Sequence, residues 1–245
     1  MSIADKLSTI AENEQKVFDA GKQEEYDRFW DRFQLNGARA NYYYAFAGYG
    51  WDNTNFYPKY NIAATGDATR LFFNWDDHQT TLFDLKARLE ECGVVLDVSG
   101  ASSIQAMFSW VKFTAIPPLD FRGCSENSAY YCGSVFACSR SIETIESITV
   151  SEYNYYFNWF DDCNSLKNIT FIGTIGQNID FKSCSLLTTK SLLSILTALS
   201  KNSTYASGKT LTLNTASKAV IEADASCSEQ LSLAVSAGWT IAYNS

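Results

Sequence analysis

Two pairs of adjacent carboxylates are the residues best suited to chemistry in this sequence. One pair, Asp76-Asp77, precedes the single histidine, His78, and the other is Asp161-Asp162. Glycoside hydrolysis needs two carboxylates that face each other across a cleft, whereas adjacent residues of a strand point to opposite sides. Neither pair suffices alone, and both are interpreted as surface carboxylates, the second in a solvated turn.

The other signatures of catalysis or metal binding are incomplete. A Ser-His-Asp triad would have to use His78, and no Gly-x-Ser-x-Gly turn accompanies it. The stretch Gly48-Tyr49-Gly50 lacks the following helix and lysine of a phosphate loop, and the seven cysteines include no Cys-x-x-Cys pair for zinc. We therefore expect a protein that is not an enzyme and has no cofactor and no metal. A carbohydrate-active enzyme is the least favoured alternative.

Aromatic residues beside asparagines form the candidate binding site. The candidate ligand-binding residues are Tyr130, Tyr131, Tyr153, Asn154, Tyr155, Tyr156 and Asn158. Exposed tyrosine next to asparagine suits sugar stacking and protein interfaces, because aromatic rings give a large contact area with little entropy loss. Alternation along an extended segment places Phe157 and Trp159 on one side. Asn154, Tyr156 and Asn158 then face the other side; the alternative is that these rings pack inside the fold.

Short strands recur along the middle of the chain, each with two apolar residues around a polar one. They are Leu96-Asp97-Val98, Leu119-Asp120-Phe121, Ile148-Thr149-Val150 and Ile169-Thr170-Phe171. A period of about 20 to 30 residues with one strand per unit predicts stacked turns, because so short a strand buries its face only against its neighbours.

The last two repeat units match most closely. The offset from Ile148 to Phe160 is repeated from Ile169 to Phe181. We expect the two phenylalanines to stack in an internal ladder. Cysteines at repeat positions suit small buried apolar residues better than bridges, although whether any cysteines are bridged stays open. The cysteines concerned are Cys138, Cys163 and Cys184.

Helical patterns flank the repeats and complete the predicted fold, which is mainly β with α caps. The predicted helices are 81–92, 191–200, 216–224 and 228–237, with strands at 211–213 and 239–243. The predicted regions are a long N-terminal helix (1–37), an aromatic-rich N-terminal cap (38–93), a short leucine-rich-repeat-like β-solenoid (94–190) and a helical C-terminal cap (191–245).

A thin apolar seam runs along the otherwise polar N-terminal helix. Its residues are Ile3, Leu7, Ile10 and Val17. A narrow seam of this kind needs a partner helix, so one interpretation is oligomerisation into a homotrimer or homodimer, with attachment to another protein as a related role. The other interpretation is a helix that packs on its own domain.

The composition excludes several classes of binding partner. The formal net charge of −8 argues against nucleic acid or anionic lipid, because both demand a basic face. No apolar stretch of about 18 residues exists, so we expect no membrane insertion. The N-terminus lacks the pattern of a secretory signal. We expect a protein that is made in the bacterial cytoplasm without a signal peptide and is found in the virion or outside the cell after release.

The repeat resembles the BspA-like leucine-rich repeats that are common in gut bacteria. The motif that carries this resemblance is Phe160-x-x-Cys163-x-x-Leu166-x-x-Ile169, with partners at Phe136 and Phe181. The end of the chain is similar to the cap of such proteins in the segments 192–199, 209–213 and 237–240. The resemblance implies a repeat fold with a binding surface and transfers no catalytic residues.

The N-terminal segment resembles the start of repeat proteins encoded in phages and prophages of such bacteria. The matching residues are 3–13, 17–22 and 26–30. This implies a structural or accessory protein of the virion. The leading hypothesis is a non-catalytic binding or structural protein, phage- or prophage-associated, that recognises a host-surface glycan or protein through its repeat face and contacts virion structural proteins. The alternative is a bacterial cell-surface adhesion module.

Overall fold

The computed structural model describes Glu24, Phe46 and residues 56–74, 82–124 and 129–244. Several predictions concern other parts of the chain and lie outside these residues. They are the helix 1–37, of which only Glu24 is described, its seam Ile3, Leu7, Ile10 and Val17, most of 38–55, and Asp76, Asp77 and His78.

The described residues form short strands and helices. The strands are β1 (Ile62–Ala63), β2 (Phe83–Asp84), β3 (Leu96–Asp97), β4 (Phe113–Ile116), β5 (Leu119–Asp120), β6 (Thr144–Val150), β7 (Asn168–Gly173), β8 (Ile179–Phe181), β9 (Thr210–Asn214) and β10 (Thr240–Asn244). The helices are α1 (Leu85–Cys92), α2 (Ala129–Cys132), α3 (Thr189–Ala198), α4 (Ser203–Ala206), α5 (Thr215–Ala223) and α6 (Ala225–Ala237).

The fold is α/β, and the predicted mainly β solenoid with α caps is wrong. Every strand pair of the described residues is parallel. Strands β2, β4, β6, β5 and β7 form the largest sheet, and the parallel sheets include a curled half-barrel. Strands β8, β9 and β10 form a second sheet in which helices connect successive strands. The strand pattern alone could not separate the two folds, because both stack short parallel strands with one buried face.

The four repeated strands are confirmed one by one, but not their expected alignment. Two of them are β3 and β5, and the other two lie within β6 and β7. Leu119 pairs with Ile148. Ile169 lies opposite Ile145, while Phe171 lies opposite Ile148, because the register shifts between the two positions. The expected correspondence of Ile148 with Ile169 is therefore wrong, because a β-bulge between Ile145 and Ile148 shifts the register of the two strands.

A ladder of stacked phenylalanines runs through the core. Consecutive ring centroids lie 5.3, 5.6, 5.6 and 4.5 Å apart in the order Phe72, Phe108, Phe136, Phe160 and Phe181. All five rings are buried. The predicted stacking of Phe160 on Phe181 is confirmed, and Cys163 and Cys184 are buried free thiols beside it. Burial raises the pKa of both thiols, so they stay neutral in the core.

The backbone is left-handed two residues before and two residues after the middle rings of the ladder. Around Phe160 these positions are Asn158 (φ +53°) and Asp162 (φ +57°). The corresponding pairs around Phe108 and Phe136 are Ala106 with Trp110, and Ser134 with Cys138. Backbone groups join each turn to the next; for example, Ser134 N donates to Phe157 O at 2.7 Å. The turns are therefore fixed in a stack beside the sheet.

Helix α3 covers the open edge of strand β7. Ser191 Oγ accepts a hydrogen bond from Ile169 N at 2.9 Å and donates to Lys167 O at 2.9 Å. Ser194 Oγ accepts from Phe171 N at 2.8 Å. An uncovered edge would leave these backbone groups open to pairing with another chain. Side chains of a helix satisfy them here, in place of a further strand.

The four predicted helices are confirmed as elements, with shifted ends. Helix α1 begins after Asp84, whose carboxylate accepts from Ala87 N at 2.8 Å, and not at residue 81. It ends at Gly93 (φ +65°), and α6 ends at Gly238 (φ +112°). A left-handed residue after a helix favours glycine, which is why both ends were visible in the sequence.

Candidate ligand-binding face

A close approach between two stretches of chain creates the candidate site. Residues 153–158 follow strand β6, and residues 175–178 follow strand β7. A Cβ at Gly176 would lie 2.6 Å from Glu152 O, which no side chain allows. Glycine is therefore required at this position. The approach brings the polar residues after Gly176 alongside the predicted aromatic segment.

Asn154 is a structural residue of this segment. Its side chain is fully buried. Nδ2 donates to Phe121 O and to Cys124 O, each at 2.8 Å, and Oδ1 accepts from Ser151 N at 2.6 Å. The prediction that Asn154 faces outward toward a ligand is wrong, because its amide ties three backbone groups together in the interior.

Tyr156 is also buried, contrary to its predicted outward orientation. Its ring meets Trp159 edge to face at 4.8 Å, and burial raises the pKa of its hydroxyl. The alternation fails because Asn158 is left-handed, so that the chain turns before it reaches Trp159. Asn158 itself is exposed, as predicted. Phe157, placed on the side of Trp159 by alternation, is instead 51% exposed.

Tyr130 and Tyr131 lie in helix α2, one turn earlier in the stack. A disulfide between Cys124 and Cys132 closes the loop that contains them. Trp159 Nε1 donates to Cys132 O, which fixes the end of the loop on the core. Tyr131 is exposed, and only the backbone of Tyr130 is described. Tyr131 does not line the depression described below, so the structure does not bring this pair into the same site.

Tyr153 is exposed and contacts a residue that the sequence did not indicate. Its hydroxyl oxygen lies 3.2 Å from that of Tyr205, and the two rings meet edge to face at 5.9 Å. This hydrogen bond is the main cause that raises the pKa of Tyr205. Tyr153 and Tyr205 therefore form one continuous aromatic contact.

A shallow depression of about 130 Å³ includes Tyr155, which follows Tyr153 by two residues in the chain. It is lined by Tyr155, Phe157, Gln177 and Asn178, and we call it the Tyr155 depression. Tyr155 packs partly against the core, whereas Phe157 projects to solvent. The set Tyr153, Tyr155, Phe157 and Tyr205 is called the aromatic face below. Of its members, only Tyr153 and Tyr155 were candidate site residues.

The two amides of the depression have fixed orientations. Asn178 Oδ1 accepts from Thr210 N at 2.8 Å, and Gln177 Oε1 accepts from Lys209 Nζ at 2.8 Å. A backbone N–H and an ammonium group can only donate. Each amide oxygen therefore accepts from the protein with one of its two lone pairs, which fixes the orientation of the amide. Sequence reasoning missed Gln177 and Asn178, and Gly176 before them was the only signal of a close approach.

The carboxylates Asp161 and Asp162 lie in a turn at the surface, as predicted. Lys182 Nζ lies 3.7 Å from Asp161 and 3.5 Å from Asp180. Arg140 pairs with Asp162 at 2.8 Å. These side chains are all exposed by about two fifths or more, and ion pairs at such positions contribute little to stability.

The described part of the chain offers neither a metal-binding cluster nor a helix that could span a membrane. It contains no group of three or more histidine, cysteine or acidic residues that could hold a metal ion. Every helix in it is too short or too polar to span a membrane.

The fold and this face together define an α/β protein that exposes aromatic rings and amide donors on one side. No protein-family model matches the chain, and no curated protein or solved structure matches it.

Proposed function

We propose that this chain is a non-catalytic binding protein that recognises a host-surface glycan through the aromatic face. The observation that carries the proposal is the Tyr155 depression, where two aromatic side chains and two amides meet at the surface. Aromatic rings stack against the apolar side of a sugar ring, and amides bond its oxygens. This is the combination that a neutral sugar requires.

The size of the depression favours a sugar over a protein as the ligand. A standard protein interface buries about 800 Å² on each partner and has a broad apolar centre. Four of the described residues line the Tyr155 depression, whose volume is about 130 Å³, whereas a standard protein interface involves about 20–30 residues on each side. A sugar residue of a glycan fits a site of this kind.

The biological setting is a separate part of the proposal. Association with a phage or prophage, presence in the virion and self-association through residues 1–37 rest on the sequence resemblance and the N-terminal seam. A bacterial adhesion module would use the same face and differ in how it is displayed.

The test is the binding of labelled protein to whole cells of candidate host bacteria, before and after the surface polysaccharide is stripped. We expect binding that is lost on stripping and is weakened at least tenfold by Phe157→Ala. Trp110→Ala is the matched control, because Trp110 is similarly exposed, at 47%, and does not line the depression. Binding that survives stripping would instead indicate a protein receptor and would refute the glycan proposal.

A further inference from the structure

Resting on the proposed function, we infer that the disulfide between Cys124 and Cys132 controls the aromatic face. The bridged chain holds the face in its binding conformation, and the dithiol chain loosens it. The inference depends on where the two cysteines contact residues 154–159, the stretch that carries Tyr155 and Phe157. Each end of this stretch is bonded to the main chain of one bridged cysteine.

The backbone carbonyl of each cysteine is an anchor for one end of the stretch. Cys124 O accepts a hydrogen bond from Asn154 Nδ2 at 2.8 Å, and Cys132 O accepts one from Trp159 Nε1. All four residues are buried, so a lost partner is not replaced by water without cost. The bridge holds the Cα atoms of the two cysteines 6.8 Å apart. It therefore fixes the spacing of the two anchors.

The dithiol chain has what it needs to stay folded. Cys124 Sγ lies 3.4 Å from Ser102 O, and Cys132 Sγ lies 3.6 Å from Cys124 O, so each thiol has an acceptor within reach. The phenylalanine ladder and the hydrogen bond from Ser134 N to Phe157 O involve neither cysteine side chain. Reduction should therefore leave a folded chain in which the spacing of the two anchors is no longer fixed.

The conversion between the two forms is thiol–disulfide exchange. Two molecules of a thiol reductant such as glutathione give two electrons and two protons to the bridge, which becomes two cysteine thiols, and the reductant becomes its own disulfide. Oxidised glutathione drives the reverse reaction. Both cysteines are buried, so the exchange needs a local opening and is slow. Because disulfides persist in oxidising surroundings, a protein that binds outside a cell keeps the bridged form there.

The experiment compares the bridged and the reduced full chain on host cells that bind the bridged form. Oxidised glutathione prepares the first form and dithiothreitol the second. Alkylation in denaturant should label the five free cysteines of the bridged form and all seven cysteines of the reduced form. We expect the reduced form to keep its circular dichroism spectrum and to bind about threefold to tenfold more weakly, because each side chain that binding must order costs about twofold to tenfold in affinity.

Three results would overturn the inference. They are equal affinity of the two folded forms, unfolding on reduction, and seven labelled cysteines after treatment with oxidised glutathione. Unfolding counts against it because the bridge would then support the whole fold and not the face in particular.

Cysteine variants assign the effect to this bridge. The double variant Cys124→Ala with Cys132→Ala should bind like the reduced form under both conditions. Cys138→Ala removes a partly exposed free thiol of the same stack and should keep the full difference between the two forms. A redox response that persists in the double variant would place the effect on another thiol and refute the inference.

Hydrogen exchange measures the coupling without a ligand. The amide of Ser151 donates to Asn154 Oδ1 at 2.6 Å, so its protection reports whether the Asn154 side chain is held. Reduction should accelerate exchange at Ser151 about threefold or more. The amide of Thr240, which donates to Lys209 O in the second sheet, should be unaffected. Equal exchange at Ser151 in both forms would contradict the coupling.

Failure of this inference and failure of the proposed function give different results. If the protein binds cells equally in both forms, the glycan function stands and the redox control falls. If neither form binds any candidate cell, the proposed function falls and the inference falls with it.

Discussion

Asn154→Ala separates two interpretations of the aromatic segment. The sequence made Asn154 a candidate ligand-binding residue, whereas the structure buries its amide among backbone groups. If Asn154 contacts the ligand, the substitution should weaken binding and leave the free energy of unfolding unchanged. If Asn154 is structural, the substitution should lower the free energy of unfolding, and the molecules that remain folded should keep most of their binding.

The expected loss follows from the three hydrogen bonds. Phe121 O keeps a bond from Cys124 N at 3.0 Å, so its loss is partial. Ser151 N and Cys124 O each lose the Asn154 partner described above. Since a buried polar group without a partner costs about 1–3 kcal/mol, we expect Asn154→Ala to lower the free energy of unfolding by about 3–5 kcal/mol.

Urea unfolding, followed by tryptophan fluorescence, measures this change. Asn178→Ala is the control, because Asn178 is exposed and caps only Thr210 N; it should cost no more than about 1 kcal/mol and should weaken binding. A free energy of unfolding for Asn154→Ala within about 1 kcal/mol of the parent, together with lost cell binding, would refute the structural role.

Three further predictions concern the core, the sheet edge and a thiol. Phe136→Ala should lower the free energy of unfolding by about 3–5 kcal/mol in urea, because the ring is buried between two ladder neighbours; a loss below about 1 kcal/mol would contradict the ladder. Ser191→Ala should accelerate hydrogen exchange at the Ile169 amide, whose partner it removes; unchanged protection would argue against the edge contact. Burial raises the pKa of the Cys227 thiol from 9.0 to about 11. The folded state therefore favours the neutral thiol. The contribution of Cys227 to the free energy of unfolding should be fully present below about pH 9 and should be lost as the pH rises to about 11. Cys227→Ala should remove that part of the fall in pH-dependent unfolding, and an identical pH profile would contradict it.

Elements with a strong period were predictable from sequence. Helix α3 has Leu192, Ile195 and Leu196 at helical spacing, and all three are buried. Its start at Thr188, whose hydroxyl accepts from Ser191 N, follows the usual preference for such residues before a helix. Local periodicity and capping depend on neighbouring residues alone, so the sequence contains the necessary information.

The fold class was not predictable in the same way. A short strand with one buried face reports which residues point inward, and not how the chain returns to the next parallel strand. The bulge between Ile145 and Ile148 adds a second difficulty, because it changes register without changing composition. Both features depend on tertiary packing, to which the repeat pattern is insensitive.

Only part of the candidate site could be found from sequence. Tyr153 and Tyr155 were identified by composition, but Gln177, Asn178 and Tyr205 come from later stretches that only the fold brings near. The disulfide of Cys124 with Cys132 was left open for the same reason, since spacing alone does not decide between a bridge and two buried thiols.

The buried residues of the aromatic segment hold its exposed residues in position for the proposed binding. Asn154 ties the segment to the preceding turn, and Tyr156 with Trp159 packs it on the core. The backbone that carries Tyr153, Tyr155 and Phe157 is thereby held from beneath before any ligand arrives. Binding then orders few groups, which lowers its entropic cost and favours affinity from a small contact area. Substitution of an exposed ring should therefore change affinity alone, whereas substitution of a buried neighbour should change stability first and affinity only through the position of the rings.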